Sequence, residues 1–293
     1  MGWMIESGPP LRRTMTGVRV RAVRDGGPVI RPDRLATEEP MEIRAGGPGQ
    51  EPFSVSVTMR TPGADFDLAV GFLFTEGLIR SREEIAEVNY CELPDDEQQY
   101  NVVTVRLGHP FEAMSAQRNF YATSSCGVCG KASLDQVRVS CAPVAAGPTV
   151  DRSTILGLPP TLREQQRIFS ETGGLHAAGL FDVDGRLRSS REDVGRHNAV
   201  DKLIGAALLA GGLPLSERVL LVSGRAGFEI VQKAAVGGIP IVCAVSAPSS
   251  LAVQAGEELG LTVVGFLRPD GFNVYTHPER IAGVGASNGS ERP

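Results

Sequence analysis

The stretch Arg218-Val-Leu-Leu-Val-Ser-Gly-Arg-Ala-Gly-Phe-Glu-Ile-Val-Gln-Lys-Ala-Ala-Val-Gly-Gly-Ile-Pro-Ile-Val-Cys-Ala-Val-Ser-Ala-Pro-Ser-Ser-Leu-Ala-Val-Gln-Ala-Gly-Glu-Glu-Leu-Gly-Leu-Thr-Val-Val-Gly-Phe266 decides the fold. Its short apolar runs, Arg218–Val222, Ile239–Val245 and Leu261–Phe266, read as buried strands. Between them, Phe228–Val236 stops at Gly237-Gly238, and Ser249–Leu259 follows Ser246-Ala-Pro248; both read as helices. A β-α-β-α-β order predicts a parallel sheet with right-handed crossovers. Such sheets bind ligands at the carboxyl ends of their strands. Those ends carry Ser223-Gly-Arg225, Ser246-Ala-Pro248 and Phe266-Leu-Arg268. Small residues let a ligand approach the backbone there, and helix N-termini favour a phosphate. Ordinary βα turns need small residues too, so this pattern alone leaves both readings open.

Upstream, Asn198–Ala210 has Val200, Leu203, Ile204, Ala207 and Leu208 at amphipathic helical spacing. Val18–Val23, Ser54–Met59 and Asn101–Leu107 read as strands. Asp65 is the expected N-cap of a helix carrying Leu68, Phe72, Leu73 and Phe74 and closed by Gly77. Ala142–Pro160, rich in Pro, Gly, Ala and Thr, reads as a connector. The expected organisation is disordered tails at 1–17 and 282–293, an N-terminal α+β domain over 18–119, and an α/β domain over 120–281.

Composition narrows the function classes. The chain has 293 residues, 42% of them hydrophobic, and a net charge of −5, which argues against a nucleic-acid or anionic-membrane binder. The apolar runs are far shorter than the ~20 residues that span a bilayer, and the opening residues lack a signal-peptide pattern. A cytoplasmic protein is expected. Five cysteines are too few for a disulfide scaffold. Of 29 basic residues only three are lysines, Lys131, Lys202 and Lys233.

The sharpest chemical feature is Ser124-Ser-Cys126-Gly-Val-Cys129-Gly-Lys131. Two thiols three residues apart share one small volume, the glycines expose them, and the Lys131 ammonium favours a thiolate. Three chemistries compete. Structural zinc needs four ligands, and Cys91, Cys141 and Cys243 stand alone. A zinc deaminase with His176 as third ligand lacks the Glu of the H-x-E motif, and His176 follows the pair. Thiol redox or persulfide carriage needs only the pair itself. A second constellation joins Thr172-Gly-Gly-Leu-His176 to Arg191-Glu-Asp-Val-Gly-Arg-His197-Asn-Ala-Val-Asp201-Lys202. Its neutral donors and acceptors suit a heterocycle; the plainer account has Asp193 capping a helix, with Asp201 and Lys202 as solvated charges.

These strings resemble one family. Ser124–Lys131, Arg60-Thr-Pro-Gly63, Gly71-Phe-Leu-Phe-Thr-Glu-Gly77, Glu192–Lys202, Ser223–Arg225, Val245–Val253 and Tyr275-Thr-His-Pro278 occur in the order seen in the FdhD family, accessory sulfurtransferases of formate dehydrogenase. The resemblance runs from about Glu39 to Ile281. It implies that a cysteine desulfurase passes a persulfide sulfur to Cys126, with Cys129 as helper. It implies delivery of that sulfur to the molybdenum of a bis(molybdopterin guanine dinucleotide) cofactor, bound as substrate, that serves formate dehydrogenase. The family's cofactor segment matches Phe266, Leu267, Arg268, Pro269, Asp270 and Gly271, with Leu267 and Asp270 expected to offer backbone only. Ser223, Arg225 and His197 are expected to join them around the GDP-like ends. The implied fold is a cytidine deaminase-like α/β core with a smaller N-terminal α+β domain, and the implied assembly a homodimer. No structural metal, nucleic acid or membrane is expected. The rivals are a cofactor chaperone that moves no sulfur, and a zinc hydrolase or deaminase.

Overall fold

The computed structural model describes residues 13–91, 100–111, 142–144 and 146–284. Cys126, Cys129 and Lys131 lie outside them. In chain order the elements begin with β1 (Met15–Arg24), β2 (Gly27–Ala36), β3 (Glu39–Gly46), β4 (Phe53–Arg60), α1 (Asp65–Thr75), β5 (Ile85–Tyr90) and β6 (Val102–Leu107). The second half contains β7 (Val150–Asp151), α2 (Arg152–Gln165), α3 (Arg167–Thr172), β8 (His176–Phe181), β9 (Leu187–Asp193) and α4 (Arg196–Leu209). It ends with β10 (Val219–Val222), α5 (Phe228–Val236), β11 (Ile241–Ala244), α6 (Ser250–Leu259), β12 (Thr262–Arg268), β13 (Gly271–Thr276) and β14 (Ile281–Ala282).

The expected β-α-β-α-β unit is present. β10, β11 and β12 run parallel, Val219 beside Ile241 and Ile241 beside Thr262. They form the centre of a mixed six-stranded sheet in the order β13-β12-β11-β10-β8-β9. β8 and β13 join antiparallel, because each is the arm of a hairpin and not the end of a crossover. The continuous apolar runs are explained by burial on both faces. Leu220, Val222, Val242 and Ala244 face one core, together with α4, α5 and α6. Val219, Leu221, Ile241 and Cys243 face a second core, beneath α2. The period of two in β-strands splits each run between them.

The first core does not stop at the sheet. A four-stranded sheet, β4-β3-β6-β5, contributes Met41, Ile43, Val103 and Val105 to the same cluster, with Leu68 and Leu73 of α1 between them and α4. α1 and α4 touch backbone to backbone. A Cβ on Gly71 would sit 1.9 Å from the Asp201 carbonyl oxygen, and one on Gly205 1.9 Å from that of Asp67. Only glycine fits at this crossing.

Three local expectations need correction. Ala142–Pro160 is not a connector throughout, since α2 starts at Arg152 and contains Pro159 and Pro160. Ile155, Leu158 and Leu162 bury one stripe of that helix, and their packing outweighs two missing amide donors. Asp65 does not cap α1; Ala64 stands at that position, with φ 55°. The Asp65 carboxylate instead takes a two-pronged ion pair from buried Arg60, at 3.2 and 2.9 Å. β1 starts at Met15, inside the segment expected to be a tail, because Met15 to Gly17 pair with Ala36 to Arg34. At the other end Ala282, the first residue of the other expected tail, pairs with Asp151.

Candidate functional site

The turns after the three parallel strands lie side by side. Ser246 N–H donates to Gly224 O at 3.2 Å, Ser249 N–H to Ala226 O at 3.0 Å, and Phe266 N–H to Ser246 O at 3.1 Å. At Gly265 a small residue is required by contact, since a Cβ there would meet Pro248 Cδ at 2.6 Å, whereas one on Gly224 would only reach ordinary contact with His176 Nδ1 at 3.4 Å. Ser223 is tied to β8: its N–H donates to Ala177 O at 2.9 Å, and its Oγ accepts from Ala177 N–H at 2.9 Å. Beside it opens a cleft of about 390 Å³, lined by Phe169, Gly173, Gly174, His176 and Ser223 among others.

The second constellation is anchored from below. Asp193, at the end of β9, is fully buried. It accepts from Gly195 N–H at 2.8 Å, Asn198 Nδ2 at 2.9 Å and Thr61 N–H at 3.2 Å, and pairs with Lys202 Nζ at 2.6 Å. Asn198 also donates to Met59 O at 2.8 Å, and Lys202 to Thr61 O at 2.9 Å. Asp201 pairs with Lys233 Nζ at 3.0 Å and accepts from Thr75 Oγ1 at 2.7 Å. Asp201 and Lys202 are therefore not solvated charges. They are buried because the glycine crossing brings α1 and its flanking turns against α4, and each finds its own partners there, Asp201 in Lys233 and Thr75, Lys202 in Asp193 and Thr61.

This frame presents Arg196 and His197 on the first turn of α4. His197 Nε2 lies 3.1 Å from a Glu229 carboxylate oxygen on α5. Burial, with Arg196, Lys233 and His176 nearby, pushes the His197 pKa down to about 3. Burial and Arg196 also lower that of His176, against an opposing pull from Asp193. His197 is neutral at physiological pH, so one ring nitrogen carries the proton and the other keeps a lone pair. Arg196 Nε is buried and has no hydrogen-bond partner among the described residues. Two low-pKa imidazoles and a guanidinium form a surface of neutral donors and acceptors beside one fixed positive charge.

The remaining expected site residues fall on the same edge with different freedom. Arg225 is exposed on the turn after β10. Phe266 is 45% exposed and has φ 53°, an unfavourable backbone for an aromatic residue, at an irregularity in the β12–β13 pairing. The Leu267 side chain is in the second core, so only its backbone faces outward. Arg268 donates to the carbonyls of Val245 and Leu267. Pro269 and Asp270 are exposed in the turn, and Gly271 opens β13. Gly195 and Gly227 precede α4 and α5 without a side-chain cap, whereas α6 is capped by Ser249 Oγ, which accepts from Ala252 N–H at 3.2 Å. Of these three helix starts, that of α6 thus already has an internal acceptor. Arg196 and Glu229 were not singled out in the sequence. Arg196 precedes His197 at a helix start, a readable signal, but nothing local connects Glu229 to it.

Comparison with known proteins finds relatives along most of the chain. A model of the FdhD/NarQ family matches residues 36–282. The sulfur carrier protein FdhD of Mycolicibacterium paratuberculosis is 54% identical over 271 residues, covering 90% of this chain and 97% of the relative. That of Sulfurisphaera tokodaii is 44% identical over 264 residues, covering 90% and 98%. A crystal structure from Desulfotalea psychrophila, described as a formate dehydrogenase accessory protein, superposes with a TM-score of 0.69 at 27% identity, covering 93% of this chain and 100% of that one. The chain belongs to the FdhD/NarQ family.

Proposed function

We propose that this protein is a sulfur carrier that takes a persulfide sulfur onto Cys126 and hands it to the molybdenum of a bis(molybdopterin guanine dinucleotide) cofactor used by formate dehydrogenase. The observation that carries the reading is the Cys126-Gly-Val-Cys129 pair, in a chain half identical to proteins named as sulfur carriers. The Cys126 thiolate attacks the outer sulfur of a desulfurase persulfide, the S–S bond of the donor breaks, and the donor thiolate leaves. Lys131 favours the thiolate form, and Cys129 assists onward transfer. The substrate's nucleotide ends are assigned to the carboxyl edge. Arg225 supplies charge, the uncapped start of α4 supplies N–H groups for phosphate, and neutral His197 suits a base edge. Phe266 and the backbone to Gly271 complete the contact. Under this reading the core is a deaminase-like scaffold without deaminase chemistry, placed in the cytoplasm and working as a homodimer.

The test is mass spectrometry after incubation with a cysteine desulfurase and cysteine. The parent chain is expected to gain sulfur on the peptide containing Cys126, and Cys126→Ala to gain none. Full labelling of Cys126→Ala refutes the assignment.

A further inference from the structure

The β1–β2 hairpin stands apart from both cores. Among the described residues it is a two-stranded sheet with no third strand. Its base rests on α3 through the Arg34–Glu171 ion pair. Large apolar side chains remain in the open, with Val23 78% and Ile30 65% exposed. An isolated two-stranded ribbon is marginal in water, and a third strand is the ordinary remedy.

Its two edges are not equivalent. Pro28 and Pro32 lie opposite Val23 and Arg19. Proline has no N–H, so these are positions whose backbone points away from the partner strand. The Thr37 N–H to Thr14 O bond, at 2.9 Å, places residues 14 and 37 in the alternate, bonded class and fixes the same parity. The outer edge of β2 is therefore interrupted twice by proline. The outer edge of β1 offers Arg19, Arg21 and Val23 with N–H and C=O directed outward, and no proline.

Charge then selects the occupant. The strands and their turn hold five arginines and two aspartates, in a chain whose net charge is −5. A second copy pairing β1 to β1 would set Arg19 and Arg21 against arginines, and like charges across a ladder are destabilising. An acidic residue opposite each arginine, alternating with an apolar one opposite Val18, Val20 or Ala22, satisfies both faces. We propose that the outer edge of β1 accepts, as a third strand, an extended segment of a partner protein in which acidic and apolar residues alternate.

The experiment uses the full chain and two labelled peptides, acetyl-Val-Glu-Val-Glu-Val-Glu-Val-amide and its Lys-for-Glu counterpart, followed by fluorescence anisotropy. The parent is expected to bind the acidic peptide and not the basic one. The Arg19→Glu/Arg21→Glu variant is expected to lose about tenfold for the acidic peptide, the product of two cross-strand ion pairs, and to gain the basic one. Arg21→Pro removes only an outward N–H, so it keeps the parent's circular dichroism and melting point, yet is expected to bind more weakly than Arg21→Thr. Equal binding of both peptides, binding of neither, or undiminished binding by Arg21→Pro overturns the proposal. So does self-association of the parent that Arg21→Pro abolishes, because the edge is then an interface between copies.

Discussion

Replacing Gly71 by alanine tests whether the two halves of the chain share one core. The new Cβ would lie 1.9 Å from Asp201 O and 2.7 Å from Asp201 C, where at least 3.0 Å is needed. The obstacle is the backbone of α4, so the helices must separate by about 1 Å, since no side chain can swing aside. Overpacking typically costs about 1–3 kcal/mol, and a backbone obstacle puts this site at the upper end. Separation also weakens the Thr75–Asp201 hydrogen bond, now 2.7 Å long, which adds about 1 kcal/mol. The better helix propensity of alanine returns about 1 kcal/mol. The net expectation is a loss of about 3 kcal/mol, or roughly 6–12 °C in melting temperature for a chain of this size. Gly157→Ala is the control. It also lies inside a helix, but its Cβ would have no atom within 4 Å, so it should stabilise by about 0.5–1 kcal/mol. Thermal and urea unfolding of both variants decide the matter. A Gly71→Ala protein that melts at or above the parent, or a Gly157→Ala protein that falls as far, refutes the crossing described here.

Lys202→Met leaves the Asp193 carboxylate buried without its cation, and a loss of about 3–5 kcal/mol is expected in guanidinium unfolding. Asp193→Asn/Lys202→Met should recover much of that loss; if the double variant falls by the sum of the two singles, the pair is not coupled. For His197 the folded-state pKa is depressed from 6.5 to about 3, so the unfolded chain binds a proton first as pH falls. The stability associated with neutral His197 is complete above about pH 6.5 and is lost on acidification toward pH 3. The melting temperature of the parent should therefore drop more steeply between pH 7 and pH 4 than that of His197→Gln, and parallel curves would remove the neutral-histidine reading.

Sequence reasoning reached the parallel strands because two-sided burial writes itself as short continuous apolar runs, as in Val219–Val222 and Ile241–Ala244. It reached α4 through its three-four spacing. It did not reach β2 and β3, where Gly27-Pro28 and Glu39-Pro40 look like turn material. The partner of β2 is the neighbouring strand β1, across the Asp25-Gly26 turn, whereas β3 pairs with β6 some sixty residues further along the chain. α2 was hidden by Pro159-Pro160 for the same reason: its stripe of Ile155, Leu158 and Leu162 means something only once the second core exists. At the site, the edge formed by Ser223, Arg225 and Phe266 followed from topology. The partnership of His197 with Glu229 did not, because a contact between the first turns of two helices leaves no trace in local spacing. Phe266 shows the opposite limit. A side chain at φ 53° is unreadable from sequence, yet a strained and exposed aromatic at a strand end is where a ligand contact is expected.

The scarcity of lysine links the fold to the site. Two of the three lysines are buried, Lys202 against Asp193 and Lys233 against Asp201 and Glu76. Each is a compact cation on a flexible stem that reaches a carboxylate in the interior. Their consequences extend upward. Lys202 holds Asp193, which holds Gly195 N–H and the Asn198 side chain, and so sets the first turn of α4 on which Arg196 and His197 stand. Burial works against the charge of Lys233, but Asp201 and Glu76 overcome it and raise the pKa, so Lys233 stays charged beneath His197 and helps keep that imidazole neutral. The neutral state of His197 comes first from its burial, and the Arg196 and Lys233 cations add to it. A substitution that neutralises Lys233 should raise the His197 pKa without touching its ring, which makes the interior charge of the crossing a determinant of what the edge can recognise.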